Sequence, residues 1–168
     1  MWRFFILFMF LLVGLFTLEV LKPVDEHVIV PFTSVLADIS VWLIDLFDDQ
    51  VAASGKVIRS MENGFAVSIE RGCNGIEAVI ILFAAIFAFP APLKHKLIGF
   101  GIGFLAIQAL NLVRIISLFY LGQWNHTAFT WFHLYLWQAL IILDALVVWL
   151  IWLRYLPRGA VPQVEKPA

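Results

Sequence analysis

Apolar blocks dominate the chain, and the polar positions between them are few. Four runs stand out, roughly 3–21, 74–90, 97–121 and 133–153, each near the ~18 apolar residues that let a helix cross a bilayer. The expected fold is therefore an all-α integral membrane protein with four transmembrane helices. The first run follows Arg3 and resembles a signal peptide at first sight. Its apolar stretch is too long for an h-region of about 7–15 residues, and Leu18-Glu19-Val20-Leu21-Lys22-Pro23 offers no small-residue cleavage site. It reads as a retained helix.

Between the first two runs lies a segment of mixed pattern, 22–72. In "PFTSVLADISVWLIDLFDD", Val35, Ile39, Trp42 and Phe47 fall near one helical face while Asp38 and Asp45 sit seven apart on another. That pattern predicts a helix lying at the membrane interface or dipping into the bundle. Further on, "GKVIRSMENGFAVSIERG" has partly alternating polarity on either side of Asn63-Gly64, which predicts a short β-hairpin. Its second arm leads straight to Cys73. Pro90 and Pro92 end the second run, and the "APLKHK" loop follows. Gly99, Gly101 and Gly103 then allow another helix to approach closely; no strand precedes them, so they give no ground for a nucleotide site. Residues 1–155 read as one membrane-embedded domain and 156–168 as a polar tail.

Composition strengthens this picture. Of 168 residues, 62% are hydrophobic and 14% charged, against about a quarter charged in a typical soluble domain. The net charge of −1 and the absence of a basic cluster speak against a nucleic-acid partner. Lysine and arginine also suggest an orientation. With the N-terminus in the cytoplasm, Arg3, Lys94, Lys96, Arg154, Arg158 and Lys166 lie inside, against Lys22, Lys56, Arg59 and Arg71 outside. The expectation is N-in and C-in, with 22–72 and 122–132 on the outer side.

Charge inside a spanning helix is expensive and marks a candidate site. Three such residues occur, Glu77, Arg114 and Asp144. Arg114 lies seven residues before Leu121, about 10 Å from the outer end of its run. Glu77 is four residues past Cys73, one helical turn below it and on the same face. His133 opens the fourth run, and His126 precedes it. Cys73, Glu77, Arg114 and His133 thus reach one level, whereas Asp144 is about 16 Å deeper than His133. Asn111 shares a face with Arg114. A thiol beside a permanent cation has its pKa lowered, and an imidazole can take its proton and return it to a leaving amine. The set reads as acyl transfer through a thioester. Competing readings are a structural Glu77–Arg114 pair, a headgroup-contacting His133, an interhelical hydrogen bond from Gln138, and an aromatic belt formed by Tyr120, Trp124, Trp131, Tyr135 and Trp137. A single cysteine excludes dithiol redox chemistry. No H-E-x-x-H occurs, so no metal or other cofactor is expected.

"RGCNGIEA", "LNLVRIISLF" and "FTWFHLYLW", in that order, resemble the signature blocks of the exosortase/archaeosortase family, most like its exosortase H branch. The resemblance covers about 65–150. It implies a membrane cysteine transpeptidase or endopeptidase of the bacterial inner membrane, with its active site facing the periplasm. Its partners would be secreted proteins ending in a short motif, a hydrophobic helix and a basic cluster. Cys73 matches the nucleophile, Arg114 the arginine and His133 the histidine. Asn74, Glu77, Asn111, Arg71 and Gln138 are supporting candidates. Asn74 stands where many relatives have serine. The competing reading from another class is a non-catalytic membrane scaffold of a secretion or polysaccharide-export system.

Overall fold

The computed structural model describes residues 2–156; the tail predicted at 156–168 lies, past Leu156, outside them. Five helical rods and one small sheet make up the structure. The rods are α1 (Trp2–Val20), α2 (Lys22–Ile44), α3 (Ile76–Ala88), α4 (Leu93–Trp124) and α5 (His126–Arg154). Strands β1 (Val51–Ser54), β2 (Val57–Ser60) and β3 (Ala66–Ser68) form an antiparallel meander in the order β1-β2-β3.

Four helices, α1, α2, α4 and α5, are long and apolar enough to cross a membrane. Their number agrees with the sequence reading, but the set differs. The run at 74–90 yields only the 13-residue α3, about 20 Å long against a hydrocarbon core of about 30 Å. Gly75 starts it from a left-handed conformation with φ 76°, and Pro90 and Pro92 lie just past its end, where a missing N–H stops further helix. Hydropathy measures a run's length, whereas the helix is bounded by the chain's turning points. The short helix is the most enclosed of the five: Ala78, Leu82, Ala84 and Ile86 are buried among α1, α4 and α5.

The helix expected within 31–49, at the interface or dipping into the bundle, forms the later part of one rod of 23 residues, Lys22–Ile44. A π-helical turn at Asp25–Ile29 comes just before Pro31 and absorbs the ring's demand for space and its missing donor. Asp25 at one end pairs with Arg71, and just past the other end Phe47 packs on Tyr120. The rod therefore flanks the end of the bundle that carries Cys73. Thr33, Leu36, Ala37, Ser40 and Ile44 are buried; Val35, Ile39 and Trp42 face outward, as do Asp38 and Asp45.

The predicted hairpin is present as β2–β3, with Ser60 N–H donating to Phe65 O and Asn63 Oδ1 accepting from Phe65 N. A further strand, β1, pairs on its other side with Val51 opposite Ser60. The sheet covers the Cys73 end of α2 and α4 through Val51, Ile58, Ile69, Ile115 and Phe119. At the far end, Phe4 meets Phe89 and Trp149, and Trp152 Nε1 donates to His95 O at 3.0 Å. Gly99 makes that closeness possible, because a Cβ there would lie 2.1 Å from Trp152 Cδ1.

Candidate active site

Residues 69–75 link β3 to α3 and form a tight loop rather than the start of the helix. Gly72 and Gly75 both have positive φ, 79° and 76°, so the chain turns twice within four residues. Cys73 N–H donates to Glu70 O at 2.9 Å. Asn74 is buried and faces away from the thiol; its Oδ1 accepts from Ile76 N at 3.1 Å and its Nδ2 donates to Thr33 Oγ1 at 3.3 Å. Asn74 thus holds the loop's turn and ties it to α2.

Glu77 does not stack beneath Cys73 as the i, i+4 reading expected, because the helix begins only at Ile76. Its carboxylate folds back instead and accepts the Gly72 N–H. The Gly72 carbonyl in turn accepts from Arg114 Nη1 at 2.9 Å. One peptide is therefore gripped from both sides, and the grip aims the guanidinium. Arg114 is 2% exposed, and its Nη2 lies 3.6 Å from Cys73 Sγ. No Glu77–Arg114 ion pair is present among the described residues, so the structural-pair reading fails in its direct form: the two meet through Gly72.

His133 comes from α5, within a π-helical turn at Phe132–Leu136. Such bulges shift the side-chain register within a helix. Its ring stacks on Phe129 with centroids 5.6 Å apart and planes 2° from parallel. In this pose Nδ1 and Nε2 stand 3.8 and 3.9 Å from Cys73 Sγ. Thiol, guanidinium and imidazole therefore share one cleft of about 360 Å³. Phe65–Arg71 form one wall, His126 and Phe129 the other, and Ile115 and Leu118 the floor.

Burial pushes the Cys73 thiol above the usual range; Arg114 pulls it down, and Glu77 and Glu70 push it further up. Proximity to a cation suggested the opposite net direction, because sequence spacing reveals the cation but not the desolvation. Arg71 is exposed and pairs with Asp25 at 2.8 Å. Glu70 is held below the usual carboxylate range by hydrogen bonds from Lys56 and Ser68.

Of the remaining candidates, Asn111 is buried beneath Gly75, and its nearest polar contact is Gln108 Oε1 at 3.5 Å. It supports the loop from below and does not orient Arg114. Gln138 is exposed and does not line the cleft; five residues past His133, it falls on another side of α5. His126 lines the cleft wall. Asp144 does not line it. Tyr120, read as part of an aromatic belt, donates to Asp48 at 2.8 Å. Sequence reasoning missed Thr33, Glu70 and Gln108. Gln108 left a trace, for it continues the Asn111 and Arg114 spacing one turn earlier. No cluster of three or more potential metal ligands occurs among the described residues.

Fold and cleft together define a multi-pass, mainly helical membrane protein with a thiol, a guanidinium and an imidazole converging near one end of its bundle. The chain belongs to the transmembrane exosortase family (Exosortase_EpsH), whose family model matches residues 1–150. No curated protein and no solved structure matches it.

Proposed function

We propose that this exosortase is a cysteine transpeptidase or endopeptidase that cleaves the C-terminal sorting signal of secreted proteins. The observation that carries this reading is the approach of Arg114 Nη2 and His133 Nδ1 to Cys73 Sγ, at 3.6 and 3.8 Å. Because burial keeps the thiol protonated at rest, attack needs a base at hand, and His133 fills that role. Sγ adds to the scissile carbonyl while His133 takes the thiol proton. Arg114, aimed by Gly72, stabilises the oxyanion. Collapse breaks the C–N bond, and the leaving amine departs with the proton from His133. The thioester then yields to water or to an acceptor amine.

Family membership supports a substrate whose hydrophobic helix lies beside the bundle, its cleavage motif reaching the cleft from the adjoining aqueous face. The lysine and arginine distribution supports the periplasmic face of the inner membrane. The test is coexpression with a secreted protein from the same genome bearing the motif, helix and basic-tail signal. Cys73→Ala and Cys73→Ser should insert normally and leave that substrate at full length, while the native chain shortens it. Processing that persists in both variants would overturn the cysteine mechanism.

A further inference from the structure

The cleft wall opposite α5 is the open edge of a β-sheet. In the order β1-β2-β3, β3 has a partner on one side only. Its pairings with β2 are Arg59 opposite Ala66, Ile58 opposite Val67 and Val57 opposite Ser68. Ser60 N–H donates to Phe65 O, and Ile69 N–H donates to Lys56 O. Antiparallel pairs alternate between hydrogen-bonded and non-hydrogen-bonded, so Phe65, Val67 and Ile69 turn their main-chain groups towards β2. Ala66 and Ser68 turn theirs away. Both residues are exposed, and among the described residues neither main chain has a hydrogen-bond partner outside the ladder.

This free edge borders the thiol's cleft. Five consecutive residues, 65–69, line it together with Cys73 and His133. A strand presenting a face would contribute alternate residues; an unbroken run means that the edge itself faces in. Across the slot stands α5 with His126 and Phe129, and the chain of β3 runs on through Glu70 to the thiol. Such an edge is a template for an added strand.

We infer that the substrate segment around the scissile bond binds as an extended strand added to β3, its main chain pairing with Ala66 and Ser68. The occupant is a polypeptide in extended conformation, because the edge offers a donor and an acceptor on every second residue at the spacing of another strand. This rests on the reading of Cys73 as the nucleophile and adds how the substrate is held. Binding through the main chain tolerates varied side chains but not the loss of an N–H. A proline or N-methyl group at a substrate position facing Ala66 or Ser68 removes a hydrogen bond and adds a clash.

The test uses full-length protein in lipid nanodiscs and an acetyl-tetra-alanine chloromethyl ketone, with a counterpart N-methylated at alternate residues. Alkylation forms an Sγ–carbon bond and expels chloride, and the thiol proton passes to solvent. Labelling of Cys73 is followed by mass spectrometry beside labelling by iodoacetamide, which is too small to use the strand. The parent peptide should react at least about tenfold faster than the N-methylated one, as expected for one or two lost hydrogen bonds. Ala66→Pro and Ser68→Pro each remove an outward N–H group, a change that edge strands accept; Ser68→Pro also takes the hydroxyl from Glu70. Each removes a donor to the carbonyls of the bound peptide, so each should slow labelling by the parent peptide and leave iodoacetamide labelling unchanged. Equal rates for both peptides on the native protein, or a parent peptide that labels both proline variants as fast as the native protein, would overturn strand addition. If Cys73 resists all three reagents, the nucleophile assignment fails separately. Strand addition is then decided on Cys73→Ala with the same peptides carrying a benzophenone. Adducts of the parent peptide confined to 65–69 and His126–His133 uphold it; adducts elsewhere refute it.

Discussion

Cys73 sits in a local environment that resists ionisation. Burial is the larger influence on the thiol, Arg114 opposes it, and Glu77 adds to it. A raised pKa means less thiolate at neutral pH, so iodoacetamide should label Cys73 more slowly than free cysteine, with a rate that climbs through an inflection on the alkaline side of a free thiol. Glu77→Gln keeps an oxygen for the Gly72 N–H while removing a negative charge, so the inflection should move to lower pH. A rate profile measured by mass spectrometry checks both statements. At Arg114 the fork of donors matters as much as the charge, since Nη1 holds Gly72 O and Nη2 reaches Sγ. Lysine cannot serve both. Arg114→Lys should lower substrate processing by about 10²–10³-fold with little change in membrane insertion, as read by time courses on immunoblots.

At the scale of elements, two tight fits set the geometry. Gly75 has φ 76°, and an added Cβ would stand 3.0 Å from Gln108 Nε2 and 3.3 Å from Asn111 Cγ. Gly75→Ala therefore meets both backbone strain and crowding, at about 1–3 kcal/mol, and displaces the loop that carries Cys73. Thermal unfolding in detergent should show a lower midpoint and processing should fall with it. Gly99→Ala is the complementary case. Its Cβ would overlap Trp152 and break the bond to His95 O, so the midpoint should fall while iodoacetamide labelling of Cys73 keeps its rate. Similar losses of labelling in both variants would show that the two ends of the bundle are not independent. The π-helical turns carry the same lesson. One precedes Pro31 and the other holds His133, and neither has a periodic signature, because a one-residue bulge shifts the helical register without changing the residue pattern on either side of it.

For the whole molecule, the order of elements determines which groups share an end. Phe4, Phe89, His95 and Trp152 gather at one end; Asp25, Arg71, Cys73, Arg114 and His133 gather near the other. Lys56 belongs with the sheet and Lys94 with the opposite turn, three residues past Ala91. In a Cys73→Ala background, Lys56→Cys should react with a membrane-impermeant maleimide added to intact spheroplasts, and Lys94→Cys should react only after permeabilisation. The reverse pattern would invert the orientation drawn from the lysine and arginine distribution.

Much of this protein was readable along the chain. Apolar run lengths forced a helical membrane architecture, because an unpaired backbone is too costly in hydrocarbon. The scarcity of polar residues made Cys73, Glu77, Arg114 and His133 conspicuous. What only the tertiary structure decided was contact and solvation. It shortened the second run to a buried 13-residue helix, carried Glu77 and Arg114 to opposite sides of one Gly72 peptide, and left Gln138 outside the cleft. It also raised the thiol that spacing had suggested would be lowered. Periodicity records which face a residue shares with its neighbours in sequence. Distances across 41 to 60 residues, such as those joining Cys73 to Arg114 and His133, depend on how helices cross and where the chain turns, and those are settled when the whole molecule packs.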